Sequence, residues 1–172
     1  DAEIIDYAQS EGVRGIYTSD SHQRASDRTH EAVEALVKDG RAIENVVMLQ
    51  GDEPTIFPHE IRKVIEALES NPENQIVNLM GKINSRTEWE DRNTIKVVVG
   101  NDDSALYFSR SPIPDGLQDF PGGALKQVCA IGFTLAALRS FSDMEPSSNE
   151  VTESIDMLRW LSNGLPITMV RI

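Results

Sequence analysis

The sequence predicts an α/β protein with a mixed, mostly parallel sheet flanked by helices, and three observations carry that prediction. Short apolar runs alternate with segments whose apolar residues recur at helical spacing through the first half of the chain, as in the crossover units of a parallel sheet. Residues 95–99 and 105–109 are two more apolar runs joined by the polar stretch 100–103, which reads as an antiparallel hairpin inserted into that sheet. The composition is that of a folded globular chain, with 172 residues, 40% hydrophobic and 26% charged.

Taken in order, Ile4, Ile5 and Ala8 share one face of a short first helix that Gly12 can stop. Residues 15–18 read as a short buried strand. Asp27 is placed to cap a second helix, whose stripe of Ala32, Val33, Leu36 and Val37 ends before Gly40. Residues 46–49 form a compact apolar strand followed at once by Gln50, Gly51 and Asp52. Pro58 suits the first position of a helix carried on by Ile61, Val64, Ile65 and Leu68 and stopped by Asn71 and Pro72. Residues 76–80 read as a strand. After the hairpin, residues 112–123 form a loop rich in Pro and Gly, long enough to suggest function. Residues 128–133 read as a further strand and 135–141 as a short helix. Val151, Ile155 and Leu158 mark a last helix before Gly164, and 167–172 a terminal strand. No repeat or linker divides the chain, so one domain over 1–172 is expected. Because the chain opens on a helix and stops on a strand, that domain is expected to be incomplete at both ends.

Charge narrows the function. Sixteen Lys and Arg against 28 Asp and Glu give a net charge of −12, which excludes a broad electrostatic grip on nucleic acid while leaving room for a basic pocket for a small anion. The single Cys129 excludes an internal disulfide and a multi-thiolate zinc site, and its apolar surroundings suit an inert core thiol. No apolar run approaches membrane-spanning length, and the acidic residues 1–6 are unlike a signal peptide, so a soluble cytoplasmic protein is expected.

Three motifs have chemical content. In LQGDEP (49–54), Asp52 and Glu53 just beyond a strand offer hard oxygen ligands to Mg²⁺, and Gly51 allows close approach of a phosphate. The same residues also make an ordinary strand-to-helix turn stiffened by Pro54. SHQRASDR (21–28) reads either as a base- or phosphate-recognition loop or as a helix N-terminus with solvated arginines. YFSRSPIP (107–114) sets a hydroxyl and a guanidinium at a strand end, suited to gripping a carboxylate or simply to ending an edge strand. Other chemistries fail: there is no G-x-S-x-G elbow, no Walker A spacing, no G-x-G-x-x-G, and neither His30-Glu31 nor His59-Glu60 is followed by the second His of a zinc-protease helix.

In collinear order over most of the chain, these segments resemble the CMP-Kdo synthetase (3-deoxy-manno-octulosonate cytidylyltransferase) family. VVMLQGDEP (46–54) is similar to its most specific motif, NTIKVVVGNDDSALYFSRSPIP (93–114) to its hairpin, and SHQRASDR to its nucleotide loop. Residues 126–133 take the place of a sugar-site strand. The resemblance implies a Rossmann-like nucleotidyltransferase fold and a Mg²⁺-dependent transfer of CMP from CTP to an acidic 3-deoxy-ulosonate sugar, Kdo or a relative. Pyrophosphate would be released and the product used for lipopolysaccharide or another surface glycan. It also implies a homodimer. On the same ground Asp52 is the catalytic, metal-holding residue and His22 and Arg28 belong to the nucleotide loop. Gln50, Tyr107, Ser109, Arg110, Gln127 and Asp156 are expected to line or buttress the sugar side. A sialic-acid-type cytidylyltransferase and a non-catalytic nucleotide-binding remnant are the competing expectations.

Departures from the family pattern sharpen the expectation. Its opening phosphate loop and closing metal-binding Asp are not found in the 172 residues, so the chain is expected to carry only part of the family's site. Arg24 and Ala25 stand where Ser and Gly are common. Gln127 replaces a His, Ile131 a Tyr, and Asp156-Met157 a Glu-Gln pair. Three changes on one side predict an altered sugar pocket and a preference for a related ulosonate over Kdo itself.

Overall fold

The computed structural model describes residues 2–115 and 123–172. Most of the expected loop 112–123 therefore lies outside the described residues. The chain divides into two compact units, Asp1–Ile43 and Glu44–Ile172.

The first unit is helical. α1 (Ala2–Ser10) ends as expected, with Gly12 at φ +74° and Val13 N–H donating back to Ala8 O at 2.8 Å. Gly15 packs so tightly on this helix that an added Cβ would lie 2.6 Å from Ile5 Cδ1. The strand expected at 15–18 is not formed. A strand needs a neighbour for its ladder, and among the described residues none pairs with this stretch. α2 (Ala25–Lys38) starts three residues earlier than expected, with extended Arg24 as its N-cap. Asp27 sits inside the first turn, where its charge favours the positive end of the helix.

The second unit is built on six strands: β1 (Asn45–Leu49), β2 (Ile76–Lys82), β3 (Lys96–Val99), β4 (Ala105–Ser109), β5 (Leu125–Thr134) and β6 (Thr168–Arg171). Their order is β4-β3-β5-β2-β6, with β1 also pairing with β5. The α/β class holds, whereas the mostly parallel sheet does not: only β2–β6 is a parallel pair, and the other four ladders are antiparallel. The cause is β5. β1 and β2, from the alternating first half, run in one direction together with β3 and β6, but β5 is inserted among them in the opposite sense and pairs with three of them. Apolar periodicity marks a strand and is blind to where it is inserted.

α3 (Pro58–Ser70) begins at the expected Pro58, and the Glu60 carboxylate accepts from Phe57 N–H at 2.7 Å to close its first turn. Its buried Val64 and Leu68 pack on Val77, Leu79, Val128 and Ala130 of β2 and β5. Gly132 permits that approach, because a Cβ there would lie 2.4 Å from Val64 Cγ1 and 2.8 Å from Leu68 Cδ1. Gly132→Ala is therefore expected to lower unfolding stability by about 1–3 kcal/mol through overpacking. Urea unfolding checks this, and an unchanged midpoint would contradict it.

α4 (Arg86–Glu90), which the sequence pattern did not suggest, is capped by the Ser85 side chain. α5 (Leu135–Asp143), α6 (Ser148–Glu153) and α7 (Met157–Ser162) complete the unit. Phe141 of α5 meets Phe133 of β5 edge-on and stacks on Trp160 of α7. Beside them Arg159 pairs with Glu150 at 2.8 Å, both side chains almost wholly buried. The single last helix expected from Val151, Ile155 and Leu158 is two helices, broken at Ser154, whose φ of +55° lies in the left-handed region. The break frees carbonyls at the end of α6, and Arg110 takes them.

Candidate active site

β5 is longer than its partners on one edge. Ladder residues 130–134 pair with β1 and 125–126 with β3, leaving Gln127, Val128 and Cys129 opposite a gap between the end of β1 and the start of β3. The chain leaving β1 fills that gap. Gln50 N–H donates to Cys129 O at 3.2 Å, and Glu53 Oε1 accepts from Cys129 N–H at 3.0 Å. Gln127 N–H is satisfied by Ile95 O at 2.8 Å. Glu53 thus stands in for a missing strand, leaving Asp52 as the exposed carboxylate of the motif, with no hydrogen bond of its own among the described residues. The gap opens into a cavity of about 480 Å³, with Asp52, Glu53, Glu60, Lys126, Gln127 and Cys129 among its lining residues.

Burial pushes the Cys129 thiol up to about 12, and the charges of Asp52, Glu53 and Asp156 add to the effect. These three carboxylates therefore bear on one point of the sheet. The sequence expectation of an inert thiol follows, because only the thiolate is nucleophilic. At pH 8 the native chain is expected to react with iodoacetamide on the order of 1,000-fold more slowly than a free thiol. The urea-unfolded chain should react at the ordinary rate, and equal rates in the two states would contradict the burial. The folded state also keeps a proton that the unfolded chain releases. This group's contribution to stability is therefore full below its ordinary value of 9 and is lost as pH climbs toward about 12.

Tyr107, Ser109 and Arg110 lie on or just past β4 and converge on a residue that the sequence pattern did not single out, Glu153. Ser109 Oγ donates to Glu153 Oε1 at 2.7 Å and Arg110 N–H to Glu153 Oε2 at 2.9 Å. Burial, with help from the Glu153 charge and hydrogen bond, holds the Tyr107 phenol above its usual range. The Arg110 guanidinium caps the end of α6, donating to Glu153 O at 2.8 Å and Ser154 O at 3.2 Å, and also to Arg92 O at 3.0 Å. Three of its five donors are committed to backbone, so this arginine is first a brace. Lys96, wholly buried, donates to Asp91 O and Thr94 O at 2.7 Å and to Arg110 O at 2.8 Å, and burial pushes its pKa down. A helical or strand periodicity carries no sign of either brace, since both depend on contacts distant in sequence.

In the first unit, the loop before α2 is tied to that helix. Glu31 accepts from Ser19 N–H at 2.8 Å and pairs with His22, while Arg28 donates to Thr18 Oγ1. The Ser19 amide, followed by His22, holds the Glu31 carboxyl below its usual range. Ser26 is wholly buried, and its hydroxyl has no partner among the described residues. His22 and Arg28 are thus organised together. Among the expected sugar-side residues, Gln127 lines the cavity together with the metal-holding candidate Asp52, Gln50 flanks it through Cys129, the Asp156 charge bears on Cys129, and Tyr107, Ser109 and Arg110 form the separate Glu153 cluster.

The carboxylate-bearing turn at the β1 end of a mixed α/β sheet thus opens on a polar cavity, a place where open α/β sheets bind ligands. Residues 1–167 match the profile of the family described as Cytidylyltransferase. The 3-deoxy-manno-octulosonate cytidylyltransferase of Halorhodospira halophila is 35% identical over 97% of this chain and 68% of its own length. The enzyme of the same name from Thermodesulfovibrio yellowstonii is 34% identical over 97% of this chain and 69% of its own. A solved CMP:2-keto-3-deoxy-manno-octonic acid synthetase complexed with CTP superposes with a TM-score of 0.86 at 30% identity, covering 100% of this chain and 69% of that one. The chain belongs to the 3-deoxy-manno-octulosonate cytidylyltransferase (CMP-Kdo synthetase) family, and the resemblance carried by LQGDEP and the hairpin is borne out.

Proposed function

We propose that this chain carries the core of a cytidylyltransferase that joins CMP from CTP to 3-deoxy-manno-octulosonate or a closely related acidic sugar and releases pyrophosphate. Family membership and the exposed Asp52 at the β1 exit together support the reading. The anomeric hydroxyl attacks the α-phosphorus, the bond to the β-phosphate bridging oxygen breaks, and pyrophosphate leaves. Such a reaction rests on positioning and charge neutralisation rather than on a covalent enzyme intermediate.

Both substrates are anions, and the cavity meets them with Asp52, Glu53 and Glu60 against Lys126. Carboxylates facing anions make sense when a cation sits between them. The donor set fits Mg²⁺, which is commonly held by one or two carboxylates together with substrate phosphates; no cluster of three or more candidate ligands occurs among the described residues. Asp52 would hold the ion, with Glu53 retained as the backbone latch on Cys129. When bound, Mg²⁺ neutralises phosphate charge and lowers the barrier to attack. His22 and Arg28 would order the nucleotide loop. Gln50 and Gln127 would meet sugar hydroxyls, with Asp156 nearby and Arg110 fixed by Glu153. Dimer formation and a cytoplasmic setting belong to the same proposal; no helix among the described residues is long and apolar enough to cross a membrane.

A base and sugar panel tests the reading. CTP, UTP and dTTP are each offered with 3-deoxy-manno-octulosonate and with sialic acid, and pyrophosphate is followed. Release with CTP and the octulosonate, and not with the other bases, is expected. Faster release with sialic acid would favour the sialic-acid-type reading.

A further inference from the structure

Gln127 lies on β5 with 7% of its surface exposed, on the wall of the cavity that Asp52 also lines. Its Nε2 donates to Asn78 Oδ1 at 2.6 Å. Asn78, wholly buried on β2, turns its own Nδ2 to three backbone carbonyls, Val128 O at 2.8 Å, Leu79 O at 3.0 Å and Ala130 O at 3.4 Å. Carbonyl oxygens only accept, so the Asn78 amide has one allowed orientation, and its oxygen must face Gln127. That oxygen also only accepts, so Gln127 must answer with its NH₂. Backbone carbonyls therefore dictate the orientation of both amides.

What remains is Gln127 Oε1, which has no donor among the described residues. Gln127 lies on the cavity wall and its oxygen is not sealed from solvent, so a ligand hydroxyl can replace water there as its donor. Ile131, four residues further along β5, is apolar and wholly buried and cannot supply one. An imidazole at this place could meet a ligand as donor or acceptor by changing tautomer, whereas Gln127 held by Asn78 can only accept.

We propose that the Asn78–Gln127 pair makes this point of the cavity a fixed hydrogen-bond acceptor, selecting an acidic sugar that turns a hydroxyl toward it and rejecting one with an acceptor-only substituent there. The proposal rests on the cytidylyltransferase reading above and deepens it. Gln127 is a specificity residue, and Asn78 is the positioning residue that sets its polarity.

The test is a panel of 3-deoxy-manno-octulosonates, each with one hydroxyl replaced by hydrogen or by fluorine, titrated against the chain with CTP and Mg²⁺. A fixed acceptor meets fluorine worse than hydrogen, while an amide presenting NH₂ would rank them the other way. At one position both replacements should raise the sugar KM by about 10- to 100-fold, fluorine more than hydrogen, with the KM for CTP unchanged. Gln127→Met should shrink that penalty to about threefold or less, consistent with loss of one hydrogen bond. The wild-type ranking decides the matter without the variant. Turnover with no position ranking fluorine below hydrogen overturns this proposal alone. No turnover of any acidic sugar overturns the cytidylyltransferase reading and this proposal with it.

Discussion

Asp52→Asn is expected to cut CMP transfer by on the order of 100- to 1,000-fold, the cost of removing one group that stabilises charge in a transition state. The substitution keeps size and removes charge. Asp52 is exposed, just past the turn that leaves β1, and the backbone latch at Cys129 is made by Glu53 rather than by it. Stability should therefore move by no more than about 0.5 kcal/mol, the usual range for a surface change. The two carboxylates of the motif separate cleanly. Glu53→Gln should disturb the Cys129 contact and stability first, whereas Asp52→Asn should spare stability and remove turnover. Steady-state rates over a Mg²⁺ series, with urea unfolding of the same samples, decide the matter. Turnover within threefold of wild type would remove Asp52 from the mechanism.

Glu153→Ala should have the second largest effect, because one carboxylate organises three residues. Without it, the Ser109 hydroxyl, 2% exposed, and the Arg110 N–H lose their acceptor, a stability cost of about 1–3 kcal/mol. The sugar KM should rise by about 10- to 100-fold, with the KM for CTP unchanged, as the brace around Arg110 loosens. Glu153→Gln separates charge from packing. One amide oxygen can still accept from Ser109 or Arg110, but the negative charge beside Tyr107 is gone. The Tyr107 phenol, held up by burial and by Glu153, should then titrate at lower pH than in wild type, though still above its ordinary value of 10.0 because burial remains. Tyrosinate absorbance reads this directly, and an unchanged titration would show that Glu153 does not act on the site in the way the contacts indicate.

Local chemistry made much of this architecture legible in advance. Pro58 starts α3 and Asn71 caps its end, the hairpin lies where a polar turn separates two β-rich runs, and β1 ends where LQGDEP begins. Each depends on neighbours within a few residues, which is what periodicity and turn chemistry report. The misreadings share a cause of the opposite kind. The direction of β5 among its partners, the unformed strand at 15–18 and the break at Ser154 are all set by contacts distant in sequence. A strand pattern without a pairing partner stays a pattern, and a helix yields at Ser154 where Arg110 satisfies the carbonyls that the break exposes.

The candidate site divides along the same line. Asp52 and Gln50 were legible because a polar cluster directly after a buried strand is unusual in itself. Glu153, Lys96 and Asn78 were not, because a buried charged or amide side chain acquires meaning only through its partners. Gln127 could be singled out from the sequence as an expected departure from the family pattern, whereas the polarity that Asn78 imposes on it emerges only once β2 and β5 are paired.

The most direct measurement is the mass of the product formed when the chain is incubated with CTP, 3-deoxy-manno-octulosonate and Mg²⁺. A cytidylyltransferase core yields a CMP–sugar ester and an equal amount of pyrophosphate, neither of which appears when the sugar is omitted. Intact CTP, or CMP released without any sugar ester, would contradict it.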